Sequence, residues 1–239
     1  MKKIGIVGGM APESTIEYYR TITRLGPRKG KEYFYPEVLV YSLNFEEMVG
    51  LLAARDLSGL AHLLVGAIRS LHRAGAEFAL LASNTPHVVF DDVAASSPVP
   101  LLSIVEETGR VAKGLGYSRV GLFGTNFTMK AGFYNRVLST RYGIAVVTPE
   151  EPEQDYIHHK IMSELVSGVI VEETRQGLCS LARVMAKEKE IQALILGCTE
   201  LPMVMTQDSI GIPVLDTARI HAEAAFYFAM SDGLQSYGI

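Results

Sequence analysis

The sequence predicts an α/β fold built on parallel sheet. Short apolar runs, typical of strands buried on both faces, alternate along the chain with longer segments that have the 3.6-residue period of a helix. This alternation indicates successive βα units, in which helices cover both faces of a parallel sheet. The chain has 239 residues and is 48% hydrophobic, which is sufficient for such a core.

Glycine, proline and serine mark several element boundaries. Ser14 is expected to cap the first helix. Gly114 and Gly116 are expected to end the helix before Val120, and Pro213 excludes helix just before the last strand. The predicted strands are Ile4–Val7, Glu37–Tyr41, Phe78–Ala82, Leu101–Ile104, Val120–Phe123, Ala145–Thr148, Ala193–Leu196 and Val214–Leu215. The predicted helices are Ser14–Arg24, Leu57–Ala74, Val105–Leu115, Asp155–Ser167, Val171–Lys187 and Thr217–Met230.

Strand ends repeat along the chain. Gly9 and Gly124 each follow a strand and lie 115 residues apart. The same separation holds between Ser83 and Cys198, which follow later strands. We therefore expect two similar lobes with Ser83 and Cys198 at equivalent positions.

The predicted domains are residues 1–103 with 214–239 for the first lobe, and 104–213 for the second. Parallel sheets bind ligands at the carboxyl ends of their strands. If the lobes face each other, their strand-end loops would meet in an active-site cleft.

Cys198 directly follows the apolar run Ala193–Leu196 and lies on a strand-end loop. A helix N-terminus close behind such a loop can lower the pKa of a thiol from its reference of about 8.5. Cys198 is therefore a catalytic candidate, and a buried structural cysteine is the alternative. Cys179 lies in a helical apolar pattern and is predicted to be a core residue.

Ser83, Asn84 and Thr85 follow another apolar run. Hydroxyl, amide and backbone N–H groups at such a loop can hold a carboxylate without lysine or arginine. The alternative is a turn that caps the following helix. No G-x-S-x-G motif surrounds Ser83, so the sequence does not support an acylating serine.

Composition and motifs exclude several other classes. The net charge is −4 with no basic run, so a small molecule is a more plausible partner than nucleic acid. The glycines after the first strand lack the third glycine of a dinucleotide motif. The first apolar run is too short for a signal peptide or a membrane span, so a cytoplasmic location is expected. The six histidines show no metal-ligand spacing.

Several motifs, in order, resemble those of the aspartate/glutamate racemase family. The resemblance extends from about residue 1 to about residue 225. It rests on Gly8-Gly9-Met10, Asn84-Thr85, Gly124-Thr125 with Thr128-Met129, Gly197-Cys198-Thr199-Glu200, and Asp216-Thr217 with His221.

The resemblance implies two pseudo-symmetric flavodoxin-like lobes, each a parallel four-stranded sheet with helices on both faces, and a homodimer. It implies catalysis without pyridoxal phosphate or metal. In the family, two cysteines lie on opposite faces of the substrate α-carbon. The second matches Cys198, and the first falls on Ser83.

A serine hydroxyl is a far poorer base than a thiolate, although it can donate a proton. The resemblance therefore implies Cys198 as the base toward the L enantiomer and Ser83 as the acid on the other face. The expected substrate is an acidic amino acid, aspartate or glutamate. Glu200 is expected either to receive the substrate ammonium or to cap the following helix. The predicted substrate-binding residues are Met10, Asn84, Thr85, Thr125, Thr128, Thr199 and Glu200.

Two other functions remain open at this point. Relatives with a single cysteine include decarboxylases of disubstituted malonates such as arylmalonates, in which the thiol protonates a carbanion. A non-catalytic amino-acid-binding protein that has lost its first thiol is the third interpretation.

Overall fold

The structure, a computed structural model, describes residues 1–26 and 35–231. In this part of the chain the fold is α/β, as predicted, with two parallel four-stranded sheets. The strands are β1 (Ile4–Gly8), β2 (Val38–Ser42), β3 (Phe78–Leu81), β4 (Leu101–Leu102), β5 (Arg119–Phe123), β6 (Ala145–Val147), β7 (Ala193–Leu196) and β8 (Val214–Asp216). The α-helices are α1 (Pro12–Leu25), α2 (Phe45–Ala53), α3 (Leu57–Arg73), α4 (Phe90–Ser96), α5 (Ile104–Gly114), α6 (Asn126–Lys130), α7 (Phe133–Val137), α8 (Glu151–Ser163), α9 (Glu172–Glu188), α10 (Gln207–Ile210) and α11 (Thr217–Met230).

The chain divides into two compact units. The first contains Met1–Glu107 and the segment that begins at Ala218, and the second contains Thr108–Thr217. The sheet of the first unit has the order β2-β1-β3-β4 and that of the second β6-β5-β7-β8, so the two units share one topology. The sequence analysis assigned residues 214–239 to the first lobe. Strand β8 instead pairs with β7 and therefore belongs to the second sheet.

The sheet of the first unit is covered on both faces. Ile4 and Ile6 of β1 lie in a buried cluster with residues of α1 and α11. Val7 lies in a second cluster with Leu64 and Ile68 of α3. Alternate residues of the strand therefore face opposite helix layers, which explains why β1 is apolar throughout instead of alternating with polar residues.

The predicted repeat coincides with the elements of the structure. Strands β1 and β5 begin 115 residues apart, as do β3 and β7. Ser83 lies two residues after the end of β3, and Cys198 lies two residues after the end of β7. The two residues occupy the same topological position, each in its own unit.

Three of the predicted elements have a boundary that was wrong by two residues or more. Helix α1 begins at Pro12, whose fixed φ suits a first helical turn, so Ser14 is inside the helix and does not cap it. Strand β4 is only two residues long because Ile104 already begins α5. Helix α8 begins at Glu151 behind a capping box formed by Glu150 and Glu153.

None of the helices in residues 1–26 and 35–231 combines the length and the apolar character that a membrane span requires.

The short helices α2, α4, α6, α7 and α10 were not predicted. They have between four and nine residues, too few to establish a helical period in the sequence.

Gly9 is required by the turn after β1. Its φ is +84°, and a Cβ at this position would lie 2.7 Å from the carbonyl oxygen and 2.8 Å from the nitrogen of Leu43. These are backbone atoms, so a side chain cannot be accommodated by a change of rotamer. Gly9 also donates its N–H to Thr15 Oγ1 at 2.9 Å, which ties the turn to α1.

We predict that Gly9→Ala lowers the free energy of unfolding by roughly 1–3 kcal/mol, because it combines an unfavourable φ with a backbone clash. Gly66→Ala is the matched control. Gly66 lies inside α3 with no atom within 4 Å of an added Cβ, so alanine there should stabilise the protein by about 1 kcal/mol. Urea denaturation measures both, and equal effects of the two substitutions would contradict the prediction.

Candidate active site

Cys198 lies at the carboxyl end of β7 in the second unit, and its thiol is hydrogen-bonded to a carboxylate. Cys198 Sγ is 2.8 Å from Glu200 Oε2 and donates to it. Cys198 is partly buried and Glu200 is buried, with 9% of its surface exposed. A hydrogen bond to an ionised acceptor is among the stronger kinds, so it fixes the orientation of the thiol.

The surroundings raise the pKa of Cys198 well above its ordinary value. Burial is the largest cause, followed by the negative charge of Glu200 and the hydrogen bond to it. The expectation of a lowered thiol pKa was therefore wrong. The segment that follows is a three-residue 3₁₀ helix, Leu201–Met203, and it does not offset the burial and the nearby carboxylate. Cys198 is a protonated thiol at neutral pH in this structure.

Glu200 does not cap the helix that follows it, because its side chain makes no capping hydrogen bond. Of the two roles expected for Glu200, capping is therefore excluded. The structure adds a contact that the sequence analysis did not consider: the Glu200 carboxylate accepts a hydrogen bond from the Cys198 thiol. Thr199 lies between the two residues in the same turn and is partly buried.

Thr125 and Thr128 lie on the neighbouring loop after β5. Thr125 caps α6, with its hydroxyl accepting from the Thr128 N–H, and the two hydroxyls are 3.3 Å apart. Thr128 is buried, and its methyl group would be 3.1 Å from a Cβ at Gly197, the residue before Cys198. The structure thus brings the Thr125–Thr128 loop against the Cys198 loop, as expected for two strand ends of one sheet.

Thr128 also lines a cavity of about 210 Å³ within the second unit. Ligand pockets commonly have volumes of about 300–1,000 Å³, so this cavity is small for a complete amino-acid site. The lining residues are Leu122, Thr128, Met129, Gly132, Tyr134, Asn135, Val146 and Thr148.

Ser83 occupies the corresponding strand end of the first unit and is partly buried. The carbonyl before it, that of Ala82, accepts a hydrogen bond from Ser14 Oγ at 3.0 Å. Its own carbonyl lies 2.9 Å from His87 Nδ1. Sequence reasoning missed both contacts, although the i, i+4 spacing of Ser83 and His87 is the signal that could have indicated the second.

Asn84 and Thr85 continue the loop after Ser83. Asn84 is 4% exposed, and its side chain does not cap the 3₁₀ helix Thr85–Val89, so the structure contradicts the capping part of that alternative. Thr85 is partly buried. The side chain of Met10 lies in the first unit's core with Leu43 and Met48, and 5% of Met10 is exposed. This leaves the Met10 side chain little surface for a ligand.

Two buried histidines surround the β4–α5 junction. His221 Nε2 is 3.1 Å from the carbonyl oxygen of Leu102, which can only accept, so Nε2 carries a proton. His221 Nδ1 then accepts from the Tyr18 hydroxyl at 2.8 Å if the ring is neutral. Burial and, to a smaller extent, the nearby His87 together lower the pKa of His221 to about 3. Burial also lowers the pKa of His87 to about 4. Both rings are neutral at pH 7.

Cys179 is a core residue, as predicted. It is 1% exposed and unpaired with Cys198, and its thiol lies 3.4 Å from Ser209 Oγ. Across residues 1–26 and 35–231, no cluster of three or more His, Cys, Asp and Glu side chains could hold a metal ion.

We predict that acid destabilises the protein through His87 and His221. Their folded-state pKa values of about 4 and about 3 lie below the ordinary value of 6.5. The unfolded chain therefore takes up protons first as the pH falls below 6.5. Each histidine should lower the free energy of unfolding by up to about 1.4 kcal/mol per pH unit between pH 6.5 and 4. Urea denaturation from pH 7 to 4.5 measures the loss, and His221→Asn should reduce its slope. An unchanged slope would exclude His221 as a contributor.

Comparison with known proteins identifies the family. The sequence matches the Asp/Glu/hydantoin racemase family over residues 7–225. The broad specificity amino-acid racemase RacX of Bacillus subtilis is 25% identical over 226 residues, which cover 92% of this chain and 95% of the relative. The crystal structure of a candidate Asp/Glu racemase from Yersinia pestis is 36% identical, with a TM-score of 0.91 and coverage of 97% of this chain and 100% of that chain. The structure of an aspartate racemase homologue from Pyrococcus horikoshii OT3 is 37% identical, with a TM-score of 0.86 and the same coverage. The chain therefore belongs to the Asp/Glu/hydantoin racemase family.

Proposed function

We propose that the protein racemises an acidic amino acid, aspartate or glutamate, without pyridoxal phosphate, with Cys198 and Ser83 acting on opposite faces of one α-carbon. The observation that carries the proposal is the Cys198–Glu200 hydrogen bond of 2.8 Å at the end of β7. Ser83 occupies the equivalent strand end of the first unit, which supports a paired role. Family membership supports the reaction class.

Removal of the α-proton requires a base, because the α-proton of an amino acid is very weakly acidic. The raised pKa means that Cys198 must first lose its own proton. Glu200 is the acceptor already in contact with it: the S–H bond breaks and an O–H bond forms on the carboxylate. The positive ammonium group of the substrate would favour the thiolate that results. Cys198 then removes the α-proton of the L enantiomer.

Ser83 completes the inversion by donating its hydroxyl proton to the opposite face of the carbanion. The serine oxygen then recovers a proton from water, and the Glu200 carboxylic acid gives its proton to the hydroxide that this leaves, so that every group returns to its starting state. The reverse reaction must use the same groups in opposite roles, and enantiomers have equal free energies. The values of kcat/KM for the two directions are therefore equal, and a preference for one enantiomer can show only in kcat and KM separately.

The proposed substrate contacts come from the polar groups of the same loops. Thr199 follows Cys198, Thr125 and Thr128 lie on the neighbouring loop that approaches Gly197, and Asn84 and Thr85 follow Ser83. Hydroxyl and backbone N–H groups at strand ends can bind carboxylates without a basic side chain. The aspartate racemase homologue and the Asp/Glu racemase candidate among the relatives support an acidic substrate. The homodimer stays a prediction.

A protonated thiol also suits a second function. Decarboxylases of disubstituted malonates need a thiol that protonates the carbanion left by loss of CO₂, and the raised pKa of Cys198 keeps the proton on sulfur at neutral pH. The substrate that the protein accepts distinguishes the two reactions. Release of CO₂ from an arylmalonate without α-proton exchange in amino acids would favour the decarboxylase.

We predict that Cys198→Ala abolishes racemisation of L-aspartate and L-glutamate and the exchange of their α-protons in deuterated water, because it removes the proposed base. Ser83→Ala should lose inversion, whereas Ser83→Cys should retain or raise it. NMR of the α-proton and chiral chromatography measure exchange and inversion. Exchange at the wild-type rate in Cys198→Ala would show that Cys198 is not the base.

Thermal stabilisation of the wild type by these amino acids without any exchange would favour a binding protein.

We predict that Glu200→Gln makes the Cys198 thiol more acidic and yet slows racemisation. Loss of the carboxylate charge should shift the pH profile of Cys198 alkylation by iodoacetamide to lower pH, because burial is then the main remaining cause of the raised pKa. Racemisation should nevertheless fall roughly 10²–10⁴-fold, because the proton acceptor is missing. Glu200→Asp, which keeps a carboxylate, should be less impaired.

The alkylation experiment uses a Cys179→Ala background so that Cys198 is the only thiol in the chain. Cys179 lies in the core of the second unit, so the background requires its own check of thermal stability. An alkylation profile that Glu200→Gln leaves unchanged would contradict the electrostatic coupling. A racemisation rate that stays at the wild-type value would contradict the role of Glu200 as proton acceptor.

A further inference from the structure

We propose that Ser14 and His87 are positioning residues for Ser83, and that together they fix the direction of its Cα–Cβ bond. The inference rests on the proposed function, in which Ser83 donates a proton. It concerns two buried side chains that sequence reasoning assigned to other roles or to none. Ser14 is 2% exposed, and His87 is 2% exposed.

Ser14 holds the peptide group on the N-terminal side of Ser83. Its hydroxyl lies 3.0 Å from the carbonyl oxygen of Ala82 and 2.8 Å from that of Ala11, and its single hydrogen is shared between these two acceptors. The Ala82 carbonyl belongs to the peptide group that links Ala82 to Ser83. Ser14 therefore connects α1 to the loop after β3.

His87 holds the peptide group on the C-terminal side, and its hydrogen bonds determine its tautomer. The Ile104 N–H donates to His87 Nε2 at 3.1 Å, so Nε2 carries no proton. The proton of the neutral ring is therefore on Nδ1, which donates to the Ser83 carbonyl at 2.9 Å. Phe90 stacks on the ring with a centroid distance of 5.1 Å and an interplanar angle of 5°. The ring is thus fixed by two hydrogen bonds and by packing.

The two contacts act on either side of one Cα atom. The peptide planes before and after a residue set its φ and ψ, and these in turn set the direction of the Cα–Cβ bond. With the Ala82 carbonyl held by Ser14 and the Ser83 carbonyl held by His87, the Ser83 Cβ has one direction. Proton donation to a carbanion depends on such alignment, and a misplacement of about 1 Å can cost ~100-fold in rate.

His87 offers a matched pair of substitutions. The amide of asparagine reaches the position of Nδ1, so His87→Asn can still donate to the Ser83 carbonyl but not accept from Ile104. The amide of glutamine reaches the position of Nε2, so His87→Gln can still accept from Ile104 but leaves the Ser83 carbonyl without its donor. We expect His87→Gln to invert the L substrate roughly 10- to 100-fold more slowly than His87→Asn. Ser14→Ala and Ser14→Thr form a second pair, in which threonine keeps the hydroxyl.

A second readout separates positioning from loss of folded protein. The β-chloro derivative of the acidic amino acid that the enzyme inverts loses chloride once its α-proton is removed: the C–H and C–Cl bonds break and a C=C bond forms. This elimination needs the base Cys198 but no proton from Ser83. Chloride release should therefore stay within a few-fold of wild type in His87→Gln and Ser14→Ala, while inversion falls.

The outcomes distinguish the inference from the function on which it rests. Equal inversion by His87→Gln and His87→Asn, or an equal loss of inversion and elimination in His87→Gln and Ser14→Ala, would overturn the positioning role. If Ser83→Ala inverts as fast as the wild type, or the wild type inverts neither aspartate nor glutamate, the proposed function itself fails. Should the His87 variants not fold, the Ser14 pair carries the same test at the other peptide group.

Discussion

Burial of the central strands on both faces is the constraint on which the rest of the structure depends. Every residue of β1, β3 and β7 is buried, so these strands have no surface on which a polar side chain could meet a ligand. Chemistry is therefore confined to the loops at their carboxyl ends. Ser83 and Cys198 are the second residues of two such loops. Their positions follow from where the apolar runs stop.

The fold was predictable because this burial leaves a visible pattern in the sequence. A strand covered on both faces requires a continuous apolar run, and β7 was predicted with the bounds that the structure has. Helices as short as α6 and α10 carry no such signal, because five and four residues are too few to show a helical period. The position of Ser14 shows the same limit. A serine near a helix start resembles a cap, and only the packed structure shows that its hydroxyl reaches the Ala82 carbonyl.

The sequence predicted that Ser83 and Cys198 follow the ends of strands, but it did not predict the electrostatic surroundings of Cys198. The spacing of Cys198 and Glu200 is visible in the sequence, whereas the direction of the Glu200 side chain is not. That direction reverses the expected effect on the thiol pKa, from lowered to raised. Before a substrate binds, Cys198 is therefore a thiol and not a thiolate. It is one member of a hydrogen-bonded pair that holds a single proton, and its basicity depends on which member holds it.

The order of the chain through the two units has a consequence for protein synthesis. The second unit is one continuous segment, Thr108–Thr217, whereas the first needs residues from both sides of it. Helix α11 supplies Ala222, Ala225 and Phe226 to the cluster that covers one face of the first sheet. Because α11 directly follows β8, every strand of the second sheet leaves the ribosome before α11 does. The first unit, although its sheet is translated earlier, must leave one face of that sheet only partly covered, by α1, until α11 emerges.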